Sequence, residues 1–381
     1  MTTTATTPSS SAVSPTPITL GTAAPIPPAR NIFEYLTTKN PDVVHQTAGK
    51  SLTANPKFIT PKRVKPWHEF NFSTIEEIFD KQLMRECMRP RLMHHIYPPP
   101  SSRNLIEKDE DSTIWILQSW TIPMVNAALE TVGESLNPVF WAARSLGTSS
   151  RPSVAPSESS MGRTPTKTQP GRQAKKKVVS SERRRKSKSF IPDGGGLPFS
   201  SLSTLQAGKG AADILPKEIK PGTKWTSEDL ALGKLVDENG EWLKGAKWQR
   251  PAAPLRQIYT YCVQAKSRYG CIVTSKEVLA IRIRAEELVS DLDTSMREHG
   301  LMEWKSIKWS AHREEGEPEE YRELTMNMAL WILHVLAGND HDIKEAYNPL
   351  KKEKVKRPPP TLPPSPVSTI AFSATESEQP Q

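Results

Sequence analysis

The sequence predicts an α/β (α+β) domain in which a mixed central β-sheet lies between helices, giving three layers in all. Segments with helical spacing and segments with strand spacing of apolar residues alternate through the middle of the 381-residue chain. The chain also contains 35 prolines and long Ser/Thr/Pro-rich tracts, which indicates that much of it does not pack. We therefore expect one folded domain with long disordered tails and a disordered basic insertion.

The expected organisation has five parts. Residues 1–30 form a disordered Thr/Ser/Pro-rich tail, and 31–147 form a helical N-terminal part that includes the first core helix. Residues 148–187 are the disordered basic insertion, and 188–350 hold the rest of the core and the C-terminal helices. A disordered Lys/Pro-rich tail then covers 351–381.

Two amphipathic helices are expected in the N-terminal part. Apolar residues recur at helical spacing over 73–96, where Ser73 opens an N-cap signature and a run of prolines ends the element. A second helix is expected over 112–132, and Pro123 should bend or break it. Phe140 and Trp141 indicate a short strand before the insertion.

Strands and helices are expected to alternate after the insertion. Residues 189–193 are predicted to end a strand, and the three glycines at 194–196 to begin a loop. A strand is predicted over 214–220, where Pro221 and Gly222 close it. The other predicted elements are a helix over 254–267, a hairpin over 269–284, an apolar helix over 324–336 and a helix over roughly 342–350.

The net charge of +9 belongs to one segment of the chain. Residues 151–190 hold twelve Lys and Arg against two Glu, a surplus of 12 − 2 = +10, so the rest of the chain sums to −1. Two basic clusters in this segment have the spacing of a bipartite nuclear-import signal, which predicts a nuclear or nucleocytoplasmic protein and an import receptor as partner. The alternative is a solvated linker that contacts nucleic acid loosely through phosphates. The cluster residues are Lys175, Lys176, Lys177, Arg183, Arg184, Arg185 and Lys186.

Composition excludes several other classes. Three scattered cysteines, Cys87, Cys262 and Cys271, are too few for a disulfide framework or a zinc site. No run of eighteen apolar residues occurs, and the Thr/Pro-rich start lacks the features of a signal peptide. We therefore expect a protein that is not secreted and has no transmembrane segment.

The best candidates for a catalytic site are Asp193, Glu218 with Lys220, and Gln257 with Tyr261. An acid-x-Lys triplet arises by chance about two or three times in a chain of this length, and 303–305 and 342–344 match it as well. Only Glu218 has an Asp upstream at the end of an apolar strand and a Gln-x-x-x-Tyr motif on a helix downstream. This order and setting single out Glu218.

These side chains suit the hydrolysis of a phosphodiester by a divalent cation. Residues two apart on a strand share a face, so Glu218 and Lys220 should point into one cleft, with Asp193 on the neighbouring strand. Asp193 and Glu218 would then bind Mg²⁺, and Lys220 would orient water and offset developing charge. Gln257 and Tyr261 lie one helical turn apart and would hold phosphate or the lysine.

A purely structural explanation of the same residues remains open. Asp193 could cap a turn, the Glu218 and Lys220 side chains could form a solvated pair on an edge strand, and Gln257 with Tyr261 could be a surface pair on a helix. Trp225 and Trp248 flank the motif and could belong either to the core or to a surface that stacks on bases.

The series Pro192-Asp193, Glu218-Ile219-Lys220 and Gln257-x-x-x-Tyr261 resembles the PD-(D/E)XK nuclease superfamily. The stretches 218–225, 254–261, 268–274 and 324–331 are similar to fungal proteins, some of them kinase-associated, that carry this core. The resemblance implies a restriction-endonuclease-like fold, Mg²⁺ as cofactor and a nucleic-acid substrate, or else a catalytically silent module that binds nucleic acid or protein. It also implies an acid on the first core helix, for which Glu110 is the candidate and Glu107, Glu130 and Glu134 are alternatives.

Overall fold

The structure is a computed structural model that describes residues 27–46, 52, 55–95, 100–143, 192–198, 214–289, 291–312 and 324–356. Nearly all of the predicted tails and the whole predicted insertion lie outside the described residues. The two basic clusters, Lys175 to Lys177 and Arg183 to Lys186, therefore also lie outside them.

The described residues contain a seven-stranded mixed sheet, which confirms the predicted class. Its spatial order is β2-β9-β8-β7-β6-β5-β4, and a separate parallel pair joins β1 to β3. Strands β2 with β9 and β6 with β7 run parallel, and the other neighbours in the sheet are antiparallel. The strands are β1 Val44–His45, β2 Arg63–Pro66, β3 Ile106–Glu107, β4 Val139–Ala143, β5 Gly194–Pro198, β6 Lys217–Ile219, β7 Tyr269–Val273, β8 Glu277–Ala285 and β9 Gly300–Lys308.

Helices cover both faces of this sheet. They are α1 Ile32–Leu36, α2 Phe72–Glu77, α3 Gln82–Met88, α4 Glu110–Ser119, α5 Thr121–Glu130, α6 Gly133–Leu136, α7 Glu228–Ala231, α8 Ala253–Ala265, α9 Leu292–Glu298 and α10 Met326–Asn339. Side chains alternate along β8, so Ala280 packs in the core under α5 and α10, whereas Leu279 and Ile281 pack in the core under α8. The sheet therefore separates two apolar cores, as a three-layer arrangement requires.

Three strongly patterned elements are confirmed. Helix α8 begins one residue before the predicted start and ends two before the predicted end, and α10 carries the apolar run expected near the C-terminus. Strands β7 and β8 pair antiparallel as the predicted hairpin, with Ile272 opposite Leu279. In each case nearly all of the apolar residues that gave the pattern are buried, and Ala265 at the end of α8 is partly exposed.

The two predicted N-terminal helices are each interrupted. The helix expected over 73–96 is α2 and α3, because Phe79, Asp80 and Lys81 adopt positive φ between them, and α3 ends at Met88. The helix expected over 112–132 breaks at Trp120, and Pro123 lies in the first turn of α5, where its missing N–H has no helical partner to lose.

The prediction of a glycine loop after Asp193 is wrong. Gly194–Pro198 is strand β5, paired with both β4 and β6, and Asp193 precedes this strand rather than ending one. Glycine is needed because a Cβ on Gly196 would lie 2.7 Å from Val139 Cγ2 and 3.0 Å from Leu215 Cβ. The glycine at position 196 therefore reflects close packing of β5 against its neighbours.

The predicted helix over 342–350 is also wrong, since this segment is irregular and only Leu350–Lys352 forms a 3₁₀ turn. Tyr347 donates its hydroxyl to the Ile283 carbonyl at 2.6 Å, and the Arg268 guanidinium lies 3.7 Å from the Tyr347 ring centroid. These tertiary contacts fix an extended path. Within the described ranges, no helix has the length and apolar character needed to cross a membrane.

Candidate functional site

The candidate site lies at the C-terminal end of β6, between β5 and β7. Backbone pairing sets the position of Asp193, whose N–H donates to the Lys217 carbonyl at 3.1 Å. Its carboxylate Oδ2 accepts the Ile219 N–H at 2.9 Å. Asp193 is thereby held against β6, the strand that carries Glu218. It directly precedes the neighbouring strand β5, so the two residues are adjacent as expected.

Lys220 connects two carboxylates. Its Nζ pairs with Glu218 Oε1 and also donates to Glu110 Oε2 at 3.2 Å. The Lys220 backbone N–H donates to the Val273 carbonyl at 3.0 Å, which continues the pairing of β6 with β7. The Glu218 side chain is fully buried and that of Lys220 is 6% exposed, whereas the Glu110 side chain is 39% exposed. The ion pair therefore sits inside the protein, and Glu110 marks its opening to solvent.

Burial controls the electrostatics of this cluster. It raises the pKa of Glu218 to about 8; the Lys220 ammonium opposes this shift, and the Asp193 and Glu110 charges add to it. For Lys220, burial alone would lower the pKa, but the neighbouring carboxylates outweigh it and the pKa is raised. The site thus contains three carboxyl groups around one ammonium group. It has a surplus of negative potential that a bound cation would relieve.

Helix α8 supplies the wall over Glu218. Gln257 donates its Nε2–H to the Tyr261 hydroxyl at 2.8 Å, and both side chains are buried. Burial first, and then the Glu218 charge, raise the pKa of Tyr261, which places its hydroxyl within electrostatic reach of the cluster. Gln257 Oε1 has no hydrogen-bond partner among the described residues. The predicted motif residues are therefore brought together.

The four candidates for the helix acid are separated by their contacts. Glu110 contacts Lys220, and Glu130 and Glu134 are exposed elsewhere on the surface. Glu107 is fully buried and accepts hydrogen bonds from five groups, so its pKa is lowered although burial alone would raise it. These donors are Ser275 Oγ at 2.5 Å, Thr113 Oγ1 at 2.8 Å, Gly222 N at 2.9 Å, His45 Nδ1 at 3.0 Å and Thr223 N at 3.3 Å.

The sequence did not reveal this role of Glu107 as an acceptor for the turn that follows Lys220. A signal was present, because the turn at Pro221 and Gly222 leaves backbone N–H groups that need a buried acceptor. Residues that are far apart in the chain meet at this turn, and their spacing in the sequence does not indicate that they are in contact.

The two other acid-x-Lys triplets lie in different surroundings. Glu303 pairs with Arg282 on β8 at 2.7 Å, and Lys305 is exposed. Lys344 pairs with Asp340 at 2.6 Å outside any sheet strand. Both of these lysines are exposed and neither pairs with the acid of its own triplet, whereas Lys220 is buried and pairs with Glu218. The distinction drawn for Glu218 therefore has a physical basis.

The donor set was compared with the needs of Mg²⁺. No group of three or more His, Cys, Asp or Glu among the described residues is close enough to hold a metal ion. Mg²⁺, however, is commonly held by one or two carboxylates together with water and substrate phosphate. Glu218 Oε2 is buried without a hydrogen-bond partner within the described ranges, and Asp193 lies beside it on the strand path. The hard oxygen donors of these two residues fit such a cation.

Comparison with known proteins adds no relative: no family model matches the chain, and no curated protein and no solved structure matches it.

Proposed function

We propose that this chain is a nuclease-like protein that hydrolyses nucleic-acid phosphodiester bonds with Mg²⁺, built on a restriction-endonuclease-like PD-(D/E)XK core. One observation carries the proposal. The Glu218 and Lys220 pair is buried at the end of an interior strand, and the partly exposed Asp193 and Glu110 lie beside it. The motif order noted in the sequence thus corresponds to one cluster in space.

Each residue has a distinct role in the proposed reaction. Asp193 and Glu218 would hold Mg²⁺, which when bound polarises the phosphoryl group and lowers the pKa of bound water. Lys220 would hold the attacking water and offset negative charge that develops on the phosphoryl oxygens. Glu110 would orient the Lys220 ammonium, because it contacts this group from the solvent side. Gln257 and Tyr261 keep the wall over Glu218 rigid through their mutual hydrogen bond.

A catalytically silent module of the same fold, which binds nucleic acid or a protein, is the second candidate. Two contacts favour it. Lys220 and Glu218 neutralise one another, and the Asp193 carboxylate is engaged by the Ile219 N–H. In a silent protein these contacts would be permanent, whereas in a nuclease they would rearrange when Mg²⁺ and substrate bind.

Cleavage assays separate the two candidates. Purified full-length protein is incubated with labelled single- and double-stranded DNA and RNA, in Mg²⁺ or in EDTA. We expect Mg²⁺-dependent cleavage that falls by about 10²-fold or more in Lys220→Ala and in Asp193→Asn. Asp193→Asn keeps an acceptor for the Ile219 N–H, so it removes charge with little effect on folding. Lys305→Ala, in the exposed triplet on β9, is the matched control and should cleave like the wild type.

Two results would contradict this assignment in different ways. Cleavage that survives both substitutions would place the active site elsewhere. No cleavage of any nucleic acid, with circular dichroism showing a folded protein, would favour the silent module.

We also propose that the two basic clusters, Lys175 to Lys177 and Arg183 to Lys186, direct the protein to the nucleus through an import receptor. The support is their charge and spacing in the sequence.

A further inference from the structure

An exposed tryptophan is held in a cationic setting. Trp248 ends the 3₁₀ turn Ala246–Trp248 and is 60% exposed. The Arg256 guanidinium lies 4.5 Å from its ring centroid, and the Lys247 ammonium lies 5.5 Å from it. Arg256 is itself buried, and donates to Thr60 Oγ1 and to the Phe58 carbonyl, both at 2.9 Å. A fixed cation therefore supports the indole ring, much of which faces solvent.

Several cations without an ion pair are close to Trp248 in the chain or line a nearby cleft. Lys62, Lys244, Lys247 and Arg250 form no ion pair with any other described residue. Lys62, Lys244 and Lys247 line a cleft of about 540 Å³, in which Glu241 is the one acidic residue among the described lining residues. Positive charge therefore predominates in the cleft that Lys247, the chain neighbour of Trp248, lines.

A second cleft is lined by residues on the C-terminal side of Trp248. It measures about 390 Å³, and its lining includes Arg250, Lys224 and Lys276 together with the acidic Glu228 and Asp229. Arg250 is only two residues from Trp248 in the chain. We call the segment that carries Trp248, Lys244, Lys247 and Arg250 the 244–250 track.

We propose that a single strand of nucleic acid binds along the 244–250 track, with one base stacked on Trp248 and phosphates on Lys244, Lys247 and Arg250. An aromatic ring can stack on the face of any base, but only where that base is not already stacked inside a duplex. The cations lie on both sides of Trp248 along the chain, as a strand with a charged backbone requires. The inference rests on the proposed function for its link to cleavage, since a nucleic-acid strand is the substrate proposed there.

Binding is measured in EDTA, so that no strand is cut, with full-length protein and labelled oligo(dT), oligo(U) and duplex DNA. Trp248→Ala should bind both single strands about 5- to 150-fold more weakly, and Trp248→Phe should retain most of the affinity. Trp115→Ala is the control, because Trp115 is 45% exposed on α4 and lies outside the track, and it should bind like the wild type. Replacing Lys244, Lys247 and Arg250 with Gln should reduce the slope of log affinity against log salt by about 2.

Three outcomes would overturn the track. In the first, Trp248→Ala binds oligo(dT) and oligo(U) within twofold of the wild-type affinity. In the other two, Trp248→Ala loses as much affinity for duplex DNA, or for heparin, which has no bases, as it loses for the single strands. The basic segment 151–190 is unchanged in every variant, so its contribution cancels.

This test and the cleavage assay fail independently. If Lys220→Ala and wild type both fail to cleave, but single strands still require Trp248, the track stands and the nuclease proposal falls. If cleavage of single strands is unchanged in Trp248→Ala, the nuclease stands and the track falls.

Discussion

Glu218 should make the folded chain less stable as the pH rises from about 4.5 towards about 8. Its pKa is 4.5 in the absence of the fold and about 8 within it, because burial opposes ionisation. A group whose pKa is raised on folding contributes stability that is fully present below the unfolded pKa, and that is lost as the pH rises through the folded pKa. Glu218→Gln retains the shape of the protonated side chain and removes this titration.

The size of the effect follows from the two pKa values. At about 1.4 kcal/mol per pH unit, the difference between 4.5 and about 8 corresponds to a total of about 5 kcal/mol. The advantage of Glu218→Gln over wild type should therefore grow by about 2 to 3 kcal/mol between pH 5 and pH 7, and by about 1 kcal/mol more by pH 9. Urea unfolding followed by tryptophan fluorescence at the three pH values gives these differences.

The control is Glu345→Gln, at an exposed side chain, which measures the effect of the substitution itself. The free energy of unfolding of Glu218→Gln is compared with that of wild type from pH 5 to pH 9. A constant difference over this range would refute the claim that burial keeps the Glu218 carboxyl from ionising. The same proteins test the cation. At pH 8, Mg²⁺ at ten times its dissociation constant should stabilise wild type by about 1.4 kcal/mol and leave Glu218→Gln unchanged. Equal stabilisation of both would remove Glu218 from the proposed ligands.

Two further predictions concern β5 and the basic segment. Gly196→Ala should destabilise the protein by about 1 to 3 kcal/mol in urea unfolding, because its Cβ would lie 2.7 Å from Val139 Cγ2. Gly133→Ala is the control, since a Cβ there meets nothing within 4 Å, and a Gly196→Ala variant as stable as this control would contradict the close packing of β5. Replacing Lys175 to Lys177 and Arg183 to Lys186 with Ala should leave a fluorescently tagged protein in the cytoplasm. An unchanged nuclear signal would refute the import signal.

Elements with strong local patterns could be predicted from the sequence. Helices α8 and α10 and the β7–β8 hairpin have apolar residues at regular spacing, and nearly all of these residues are buried. The mixed sheet followed from the alternation of such segments. The motif residues of the candidate site could be selected for the same reason, because β6 and α8 were both identified and in the right order.

Elements stabilised mainly by distant partners could not be predicted. Strand β9 pairs with β8 over nine residues, from Gly300 opposite Ala285 to Lys308 opposite Glu277, yet its own sequence gave no strand prediction. Strand β5 consists largely of glycine, which has low strand propensity. Both strands are stabilised by pairing with neighbours that only the folded chain brings together, and single-sequence patterns do not contain that information.

The position of β6 in the sheet bears on the role of Glu218 and Lys220. This strand lies between β5 and β7, so Glu218 and Lys220 are not the solvated edge-strand pair that a purely structural explanation required. Burying an ion pair costs several kcal/mol of desolvation per ion, and apolar residues of similar volume often replace such a pair without loss of stability. Lys305 of the similar triplet on β9 does not face this cost, because its side chain is exposed. Stability alone therefore does not account for Glu218 and Lys220, and a role in binding or chemistry explains better why two ionisable side chains are buried at the end of an interior strand.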